Sequence, residues 1–314
     1  MGSGGSTSAK PTPENGGVRQ SRGVGLVVSA AAYVAALLAA VSVVRALPLE
    51  HPLAQLGVGT VVATLVVFAV SVMADNSSIY DPYWSLQPLA IAVYYLWHLG
   101  SDVGLRQVLV TVLVFLYAIR LTGNFYRGWV GLSQEDLRYR GFRERFGRAY
   151  WPVSLLGIHL FPTVMVWLGC LPLYAVMRPE AAGTNWLDGV ATVVYAGAIG
   201  LAFVADEQLR RFREEPNNRD RNIREGLWSV SRHPNYLGEI GSWWGLWLFA
   251  LASGLGYWWM VVGAVAISLM FVYASVPMME ARTLATRPGY EAYRADTPML
   301  LPRLRKQVSE RHAG

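Results

Sequence analysis

The densest group of reactive side chains lies at 226–239, where the sequence reads Gly-Leu-Trp-Ser-Val-Ser-Arg-His-Pro-Asn-Tyr-Leu-Gly-Glu. Pro234 suits the first turn of a helix, because its missing N–H would have no partner there. Asn235 and Glu239 then lie four residues apart on one face of that helix. A carboxylate that enters an apolar helix is costly, so Glu239 indicates a functional group. An ion pair with Arg232 is the alternative explanation.

A second group, at 205–213, places an acid and two guanidinium groups on one helical face. Asp206, Arg210 and Arg213 are spaced by four and then three residues, which brings them to the same side of a helix. Guanidinium groups stay charged and bind phosphate oxygens in pairs. The pattern therefore predicts a phosphate site. A solvated face whose arginines extend toward water would give the same spacing.

A third group combines acids with phenols at 75–84. A tyrosine beside a carboxylate could donate a proton to a carbonyl oxygen of a substrate. We therefore name Tyr83 and Tyr80, next to Asp81, as candidate catalytic proton donors, with Tyr236 in reserve. Capping of helices by the aspartates would explain the acids without catalysis.

The composition restricts the class of protein that could carry these groups. The hydrophobic set makes up 53% of the 314 residues and charged residues only 15%, against roughly 25% charged in a soluble domain. This excludes a soluble two-domain enzyme. The single cysteine, Cys170, excludes an intramolecular disulfide and a cysteine zinc site, and five histidines are too few for a clustered di-iron site, so no metal is expected. No glycine-rich motif of a Rossmann nucleotide site occurs.

Long apolar runs separate the charged blocks. The runs lie at about 24–44, 53–74, 86–99, 106–123, 153–177, 186–205, 236–253 and 257–277. A spanning helix needs about 20 apolar residues, and backbone groups in lipid must bond within a helix or a closed barrel. Because the runs are continuous rather than alternating, they predict an all-α, polytopic transmembrane bundle of about eight helices. The lipid bilayer is thus the first partner that the sequence predicts.

The basic residues predict how the bundle is oriented. With eight spans, 24 of the 27 Lys and Arg residues lie on one side, and only Arg45, Arg106 and Arg178 lie on the other. Positive residues favour the cytoplasmic side, so we expect both termini there. This distribution also explains the net charge of +6 without nucleic acid. We expect a disordered tail at 1–23, a membrane domain at 24–305 and a flexible tail at 306–314.

Three cytoplasmic blocks mix arginines with acids and aromatic residues, at 124–152, 206–235 and 278–305. A loop that only sets topology needs positive charge alone. We therefore expect these blocks to form the walls of one site on the cytoplasmic face. Salt-bridged connecting loops are the alternative, and within the first block Glu135 to Arg140 could be either an ion-paired clamp or a solvated turn.

The motif at 226–239 resembles the signature of the domain of unknown function 1295 family, within the steroid 5-alpha-reductase superfamily. The resemblance extends from about Asn76 to Pro302. The shorter motifs that support it by their order are Glu-Asp-x-Arg-Tyr at 135–139, Ala-Asp-x-Gln-Leu at 205–209, Trp-Trp-Gly at 243–245, and Tyr-x-x-Tyr followed by Leu-Leu-Pro at 290–302.

The resemblance implies a bound NADPH in a cavity among the later helices, open to the cytoplasm. It assigns cofactor contacts to Asp206, Arg213, Asn235 and Glu239, and by a weaker match to Arg282 and Tyr293. Together with the dense groups above, the expected cofactor site comprises Asp206, Arg210, Arg213, Arg232, His233, Asn235, Tyr236, Glu239, Arg282 and Tyr293. An Asn that the steroid reductases carry is Ala202 here, and their early-helix Glu and Tyr have no matching motif. These departures concern the part of the motif set that binds the steroid, whereas the motifs that imply the fold are present.

The activity implied by the resemblance is NAD(P)H-dependent reduction of an activated carbon-carbon double bond in a steroid or another apolar, lipid-soluble small molecule. Arg-His-Pro-x-Tyr-x-Gly at 232–238 also resembles S-adenosylmethionine-dependent membrane methyltransferases of the isoprenylcysteine carboxyl type. Those enzymes usually carry two successive Glu late in the chain, where this chain has Met279 and Glu280. A non-enzymatic membrane scaffold is the third class, and it would not need an inward Glu239.

Overall fold

The computed structural model describes residues 22–99, 103–181, 183–218 and 220–302. These residues form helices joined by short connections, and they contain no strand. In chain order the helices are α1 Arg22–Ala46, α2 Pro52–Met73, α3 Tyr80–Leu99, α4 Leu105–Gly128, α5 Leu137–Phe146, α6 Tyr150–Val153, α7 Phe161–Gly169, α8 Leu171–Val176, α9 Trp186–Glu214, α10 Pro234–Ser253, α11 Val261–Met270, α12 Val276–Thr286 and α13 Tyr290–Asp296.

Six helical segments of the described chain are long and apolar enough to cross a bilayer. They are Arg22–Ala46, Pro52–Met73, Leu105–Gly128, Leu137–Val176, Trp186–Glu214 and Leu255–Thr286. The protein is therefore a multi-pass integral membrane protein with a helical bundle fold, as predicted. The two other predicted spans, 86–99 and 236–253, lie in α3 and α10, which are helices of 20 residues. The count of eight spans and the side of the termini stay predictions.

The structure describes only a small part of the tails predicted at 1–23 and 306–314. Helix α1 begins at Arg22, so the last two residues of the predicted tail at 1–23 belong to a helix. The rest of that tail and the tail at 306–314 lie outside the described residues. Helix α10 ends before Gly254, and a 3-10 turn follows at Leu255–Met260.

Helices α9 and α10 approach each other along a row of small residues. A Cβ atom added at Gly238 would lie 2.6 Å from the Ala198 carbonyl oxygen and 2.7 Å from the Ala202 Cβ. One added at Gly245 would lie 2.7 Å from the Tyr195 Cβ. Small residues allow membrane helices to pack with their backbones close together. The contact also explains why residue 202 is an alanine, because a larger side chain at this position would collide with α10.

A buried ion pair holds α4 to α9 at the end of the bundle where both helices begin. The Arg106 Nε donates to Asp188 Oδ1 over 2.6 Å and its Nη2 donates to Oδ2 over 2.8 Å. The remaining donors reach the carbonyl oxygens of Ala181 and Ala252 over 2.8 and 2.9 Å. This end of the bundle is called the far end below. The opposite end, where α4 and α9 finish and α10 begins, is called the basic end.

We expect Gly245→Ala to lower the melting temperature of the purified protein in detergent. The new methyl group would meet the Tyr195 backbone and Cβ, and overpacking of this kind typically costs about 1–3 kcal/mol. Gly200→Ala on α9 is the matched control, because a Cβ at Gly200 meets nothing within 4 Å and alanine favours helix. Equal melting temperatures for the two variants would contradict the close contact.

Candidate functional site

An arginine and two acids from three helices meet at the basic end of the bundle. The Arg120 Nη1 on α4 donates to Asp206 Oδ2 on α9 over 3.0 Å, and its Nη2 pairs with Glu239 Oε1 on α10. Asn124 and Asn235 donate to the two oxygens of Asp206 over 3.2 and 3.1 Å. The Arg120 and Glu239 side chains are 6% and 7% exposed. We call Arg120, Asp206 and Glu239 the charged triad.

The charged triad leaves hydrogen-bonding capacity unused. Within the described part of the chain, Arg120 Nε and Glu239 Oε2 are buried and have no hydrogen-bond partner. The Tyr117 hydroxyl lies within electrostatic reach of Glu239, yet it forms no hydrogen bond of acceptable geometry either. Buried polar groups without partners are rare and destabilising. Their convergence here indicates a site that a ligand could complete.

A cavity of about 480 Å³ lies beside the triad. Asp206, Asn235 and Glu239 lie on one wall, and Tyr236 lines the cavity beside them. The interior is apolar, with side chains such as Trp243 from the bundle core. Small-molecule sites typically have about 300–1,000 Å³ and combine apolar walls with a few polar groups. The cavity therefore has the size and chemistry of such a site.

The opposite wall carries a second polar group, contributed by α3 and α5. The Tyr139 hydroxyl donates to Asp81 Oδ1 over 2.6 Å. Arg138 pairs with Asp136 through Nε and Nη2, at 2.9 and 3.1 Å. Burial alone would raise the pKa of Asp136, but the hydrogen bonds and charge of Arg138 outweigh it and the pKa is lowered. This part of 135–140 is thus an ion-paired clamp.

Glu135 fixes the clamp to the connection between α2 and α3. Its Oε1 accepts from the Ser77 backbone N–H over 2.8 Å, and its Oε2 accepts from Arg143 Nε over 2.6 Å. Asn76 Nδ2 donates to backbone carbonyl oxygens at 132 and 134 over 2.8 and 2.9 Å. These bonds hold α5 against the start of α3, which brings Asp81 and Tyr139 together.

Two π-helical segments contribute to the cavity wall. Gly157 and Ile158 belong to the segment Ser154–Leu160, and Phe271, Ala274 and Ser275 belong to the segment Phe271–Ser275; all five line the cavity. Single π turns inside α-helices occur frequently at functional sites. Their position supports a functional role for this cavity.

The structure brings six of the predicted site residues to one cavity. They are Tyr80, Asp81, Asp206, Asn235, Tyr236 and Glu239. The Tyr80 hydroxyl is already engaged with Thr163 Oγ1 over 2.8 Å. Tyr83 instead lines a second cavity, where its hydroxyl accepts from Thr64 Oγ1 over 3.4 Å. The expectation that Tyr83 shares a site with Glu239 therefore needs correction, because its ring packs toward α1 against Tyr33.

Three predicted cofactor contacts serve instead to hold the start of α10. Arg232 Nε donates to Glu280 Oε1 over 2.7 Å, and His233 Nε2 lies 3.0 Å from the same oxygen. The Tyr293 hydroxyl donates to the Trp228 carbonyl oxygen over 2.5 Å. The alternative pairing of Arg232 with Glu239 is wrong, because each residue has a different ionic partner.

His233 orients Tyr236, which lines the cavity. The two rings are stacked, with centroids 5.5 Å apart and an interplanar angle of 11°. Burial lowers the pKa of His233, and the hydrogen bond to Glu280 opposes this only in part. The imidazole is therefore neutral near neutral pH and acts as a packing surface for the phenol.

The predicted arginines separate into two sets. Arg210 binds Glu207 and Glu214 on its own helix, at 2.5 Å each, so it belongs to a solvated face. Arg213 and Arg282 are exposed and lie within electrostatic reach of each other, and Arg213 also of Asp206. Neither has a carboxylate salt-bridge partner among the described residues. They form a cationic edge beside the cavity.

Sequence reasoning missed Arg120 and Asn124, the partners of Asp206. Arg120 lies inside the predicted apolar run at 106–123, where a charge is costly and usually functional. That signal was present, but the residue was counted among the cytoplasmic basic residues. Tyr139, the partner of Asp81, lay in a motif whose geometry the spacing left open.

The fold and the site define a multi-pass membrane protein with a charged, partly unsatisfied cavity at one end of its bundle. The chain belongs to the family described as protein of unknown function (DUF1295), whose model matches residues 67–297. The family predicted from the 226–239 motif is therefore confirmed. The chain is 28% identical to uncharacterized protein C594.04c of Schizosaccharomyces pombe, and the match covers 76% of each chain. No solved structure matches this chain.

We expect Arg120→Gln to reduce thermal stability strongly, because it leaves two buried carboxylates without their cation. Removal of one partner from a buried ion pair typically costs about 3–5 kcal/mol. Arg127→Gln is the control, because Arg127 is largely exposed and lies 3.7 Å from its acid. The melting temperatures of the parent and both variants in detergent test this. Adding Glu239→Gln to Arg120→Gln should restore part of the loss, and no restoration would argue against charge as its cause.

Proposed function

We propose that the protein is an NAD(P)H-dependent reductase that acts on an activated carbon-carbon double bond of an apolar substrate. The observation that carries this proposal is a cavity next to a cationic edge, with apolar side chains inside and with Glu239, a carboxylate that has one unpaired oxygen, in its wall. The wall suits the polar end of a nucleotide cofactor. The apolar interior suits a substrate that arrives from lipid.

The residues at the site fit a dinucleotide in their chemistry. Glu239 Oε2 has no partner among the described residues, so it could accept a hydrogen bond from a hydroxyl or amide group. Arg213 and Arg282 could bind phosphate oxygens, because guanidinium groups bind such oxygens in pairs. A nicotinamide cofactor, when bound, supplies a hydride. The chain's own groups would bind it, exclude water and provide the proton.

Tyr236 is the proton donor that the geometry favours. Among the tyrosines that line the cavity, Tyr80 and Tyr139 have hydroxyls engaged with Thr163 and Asp81. No hydrogen bond to the Tyr236 hydroxyl is present among the described residues. Its electrostatic neighbours include Arg138 on one wall and Glu239 on the other, so it lies between the two polar groups.

The chemistry requires such a donor at the substrate carbonyl. Hydride addition to an enone builds negative charge on the carbonyl oxygen, and a positioned donor stabilises that charge in the transition state. The Tyr236 hydroxyl can donate to this oxygen. Burial raises the pKa of Tyr236 and the charge of Arg138 opposes this only in part, so the hydroxyl keeps its proton for this bond. His233 holds the ring in place.

The second candidate is an S-adenosylmethionine-dependent methyltransferase. One observation favours it: Glu280 contacts both Arg232 and His233, which joins the two motifs behind that resemblance. However, the Glu280 carboxylate is already engaged with Arg232, His233 and, over 3.6 Å, Arg294. Little capacity is left for a ligand, so the reductase is the stronger proposal.

Cofactor binding can be measured by titration calorimetry on the detergent-solubilised protein with NADPH, NADH and S-adenosylmethionine. We expect NADPH or NADH to bind, and Arg213→Gln to weaken that binding by about tenfold or more, since a hydrogen bond to a charged group contributes about 1.5–3 kcal/mol. Arg211→Gln is the matched control, because Arg211 is exposed and pairs outward with Glu207. Binding of S-adenosylmethionine alone would reject the reductase in favour of the methyltransferase.

The rate of substrate reduction tests whether Tyr236 is the proton donor. We expect Tyr236→Phe to slow cofactor-dependent reduction of enone lipids or steroids by about 100-fold or more, the usual range for loss of a general acid, with cofactor affinity unchanged. Tyr273→Phe should retain the parent rate, because Tyr273 is 75% exposed on the outside of the bundle. If Tyr83→Phe loses turnover while Tyr236→Phe retains it, the proton donor has been assigned to the wrong tyrosine.

A further inference from the structure

A second cavity, of about 290 Å³, lies between α1, α2 and α3. It extends from Tyr33 and Tyr83 toward the far end of the bundle, near Val44 and Gln55. Its lining includes no Asp, Glu, Lys, Arg or His among the described residues. The Tyr80 and Tyr83 rings, with centroids 5.5 Å apart, line different cavities. The two sites are therefore separate.

One polar side chain in this apolar cavity lacks partners. Gln87 lines the cavity and is 4% exposed. Both amide atoms, Oε1 and Nε2, are buried without a hydrogen-bond partner in the described structure. An unpaired buried amide is destabilising, and native proteins contain few of them.

Three other polar side chains in the lining donate to acceptors within the protein. The Tyr33 hydroxyl donates to the Ile79 carbonyl oxygen over 2.7 Å, and the Tyr94 hydroxyl donates to Gln55 Oε1 over 2.6 Å. Thr60 Oγ1 donates to the Gly57 carbonyl oxygen over 2.9 Å. These bonds use the local partners, and the Gln87 amide is left without one.

The chemistry of the cavity selects the ligand class. A primary amide presents a donor and an acceptor side by side, which matches a hydroxyl group that accepts one hydrogen bond and donates another. A charged headgroup would find no counter-charge here, and an unpaired buried charge is strongly disfavoured. The apolar walls suit a hydrocarbon body. A neutral lipid alcohol meets all three conditions.

The cavity is accessible from the bilayer rather than from water. Val34 and Leu37 of α1 line it and are each more than half exposed on the surface of the bundle. Helix α1 is itself a candidate membrane span, so these residues face lipid. The terminal torsion of a glutamine is broad and roughly two-fold, which lets the Gln87 amide turn toward an entering hydroxyl.

We propose that the cavity between α1, α2 and α3 is a binding site for a neutral lipid alcohol, whose hydroxyl pairs with the Gln87 amide. The site is independent of the proposed reductase activity. Its ligand enters laterally from the membrane, and its hydrocarbon body lies along the apolar faces of α1 and α2.

The test uses the full-length protein in phosphatidylcholine nanodiscs and a hexadecanol that carries a diazirine in its chain. Photolabelled peptides are mapped by mass spectrometry, with unlabelled hexadecanol and hexadecane as competitors. We expect label on α1, α2 and α3, and we expect hexadecanol to compete about tenfold better than hexadecane. Equal competition by hexadecane would overturn the proposal, because the cavity would then hold only a lipid tail.

Variants test the hydrogen bond to Gln87 and the volume of the cavity separately. Gln87→Leu should abolish the advantage of hexadecanol without loss of stability, because it removes an unpaired amide. Ala90→Phe should block labelling by filling the cavity, whereas Val93→Phe, on the lipid-facing side of α3, should retain it. A persistent hexadecanol advantage in Gln87→Leu, or labelling unchanged in Ala90→Phe, would show that the alcohol binds elsewhere.

Discussion

Buried arginines on a single helix fix the arrangement of this bundle. Arg106 and Arg120 lie 14 residues apart on α4, close to four full turns and about 21 Å along the axis. Their partners on α9, Asp188 and Asp206, lie 18 residues apart, which is five turns and therefore the same face. A buried charge without its counter-charge is strongly disfavoured, so both pairs must form together. They set the register of α4 against α9.

The two ion pairs differ in how completely they are satisfied. At the far end, the Arg106 donors reach a carboxylate and two backbone carbonyl oxygens, and the pair is sealed within the bundle. At the basic end, Arg120 faces two acids, and polar atoms are left without partners. The same chemical pair thus serves as a closed structural link in one place and as the wall of a cavity in the other.

The sequence predicted the parts of this arrangement that depend on one helix at a time. Continuous apolar runs predicted the helices, and the spacing of Asn235 and Glu239 placed both on one face. In the structure both residues line one cavity with Asp206. The periodicity of one helix does not show which neighbouring helix each of its faces contacts. For this reason the sequence did not identify Arg120 on α4 as the partner of Asp206 and Glu239. Tyr83 was grouped with Tyr80 because the two residues lie three positions apart on one helix. Two such tyrosines can still pack against different helices, and these two line different cavities.

The arginines of 205–213 show the same limit within one helix. Arg210 lies on the same helical face as Asp206, but its long side chain can reach acids on either side of that face. It forms salt bridges with Glu207 and Glu214 and therefore points away from the cavity. Arg232 and His233 were assigned to the site because they belong to its motif. The structure shows that they hold the motif in place through Glu280.

The length of α9 determines the surroundings of the cationic edge. With 29 residues the helix is about 44 Å long at 1.5 Å per residue, whereas the hydrocarbon core of a bilayer is only about 30 Å thick and the headgroups extend it to about 40–45 Å. If α9 stands nearly upright, its last turn, which carries Arg213, reaches the level of the lipid phosphates. A soluble anion that binds at this edge must then displace lipid headgroups, so its apparent affinity depends on the fraction of anionic lipid in the membrane.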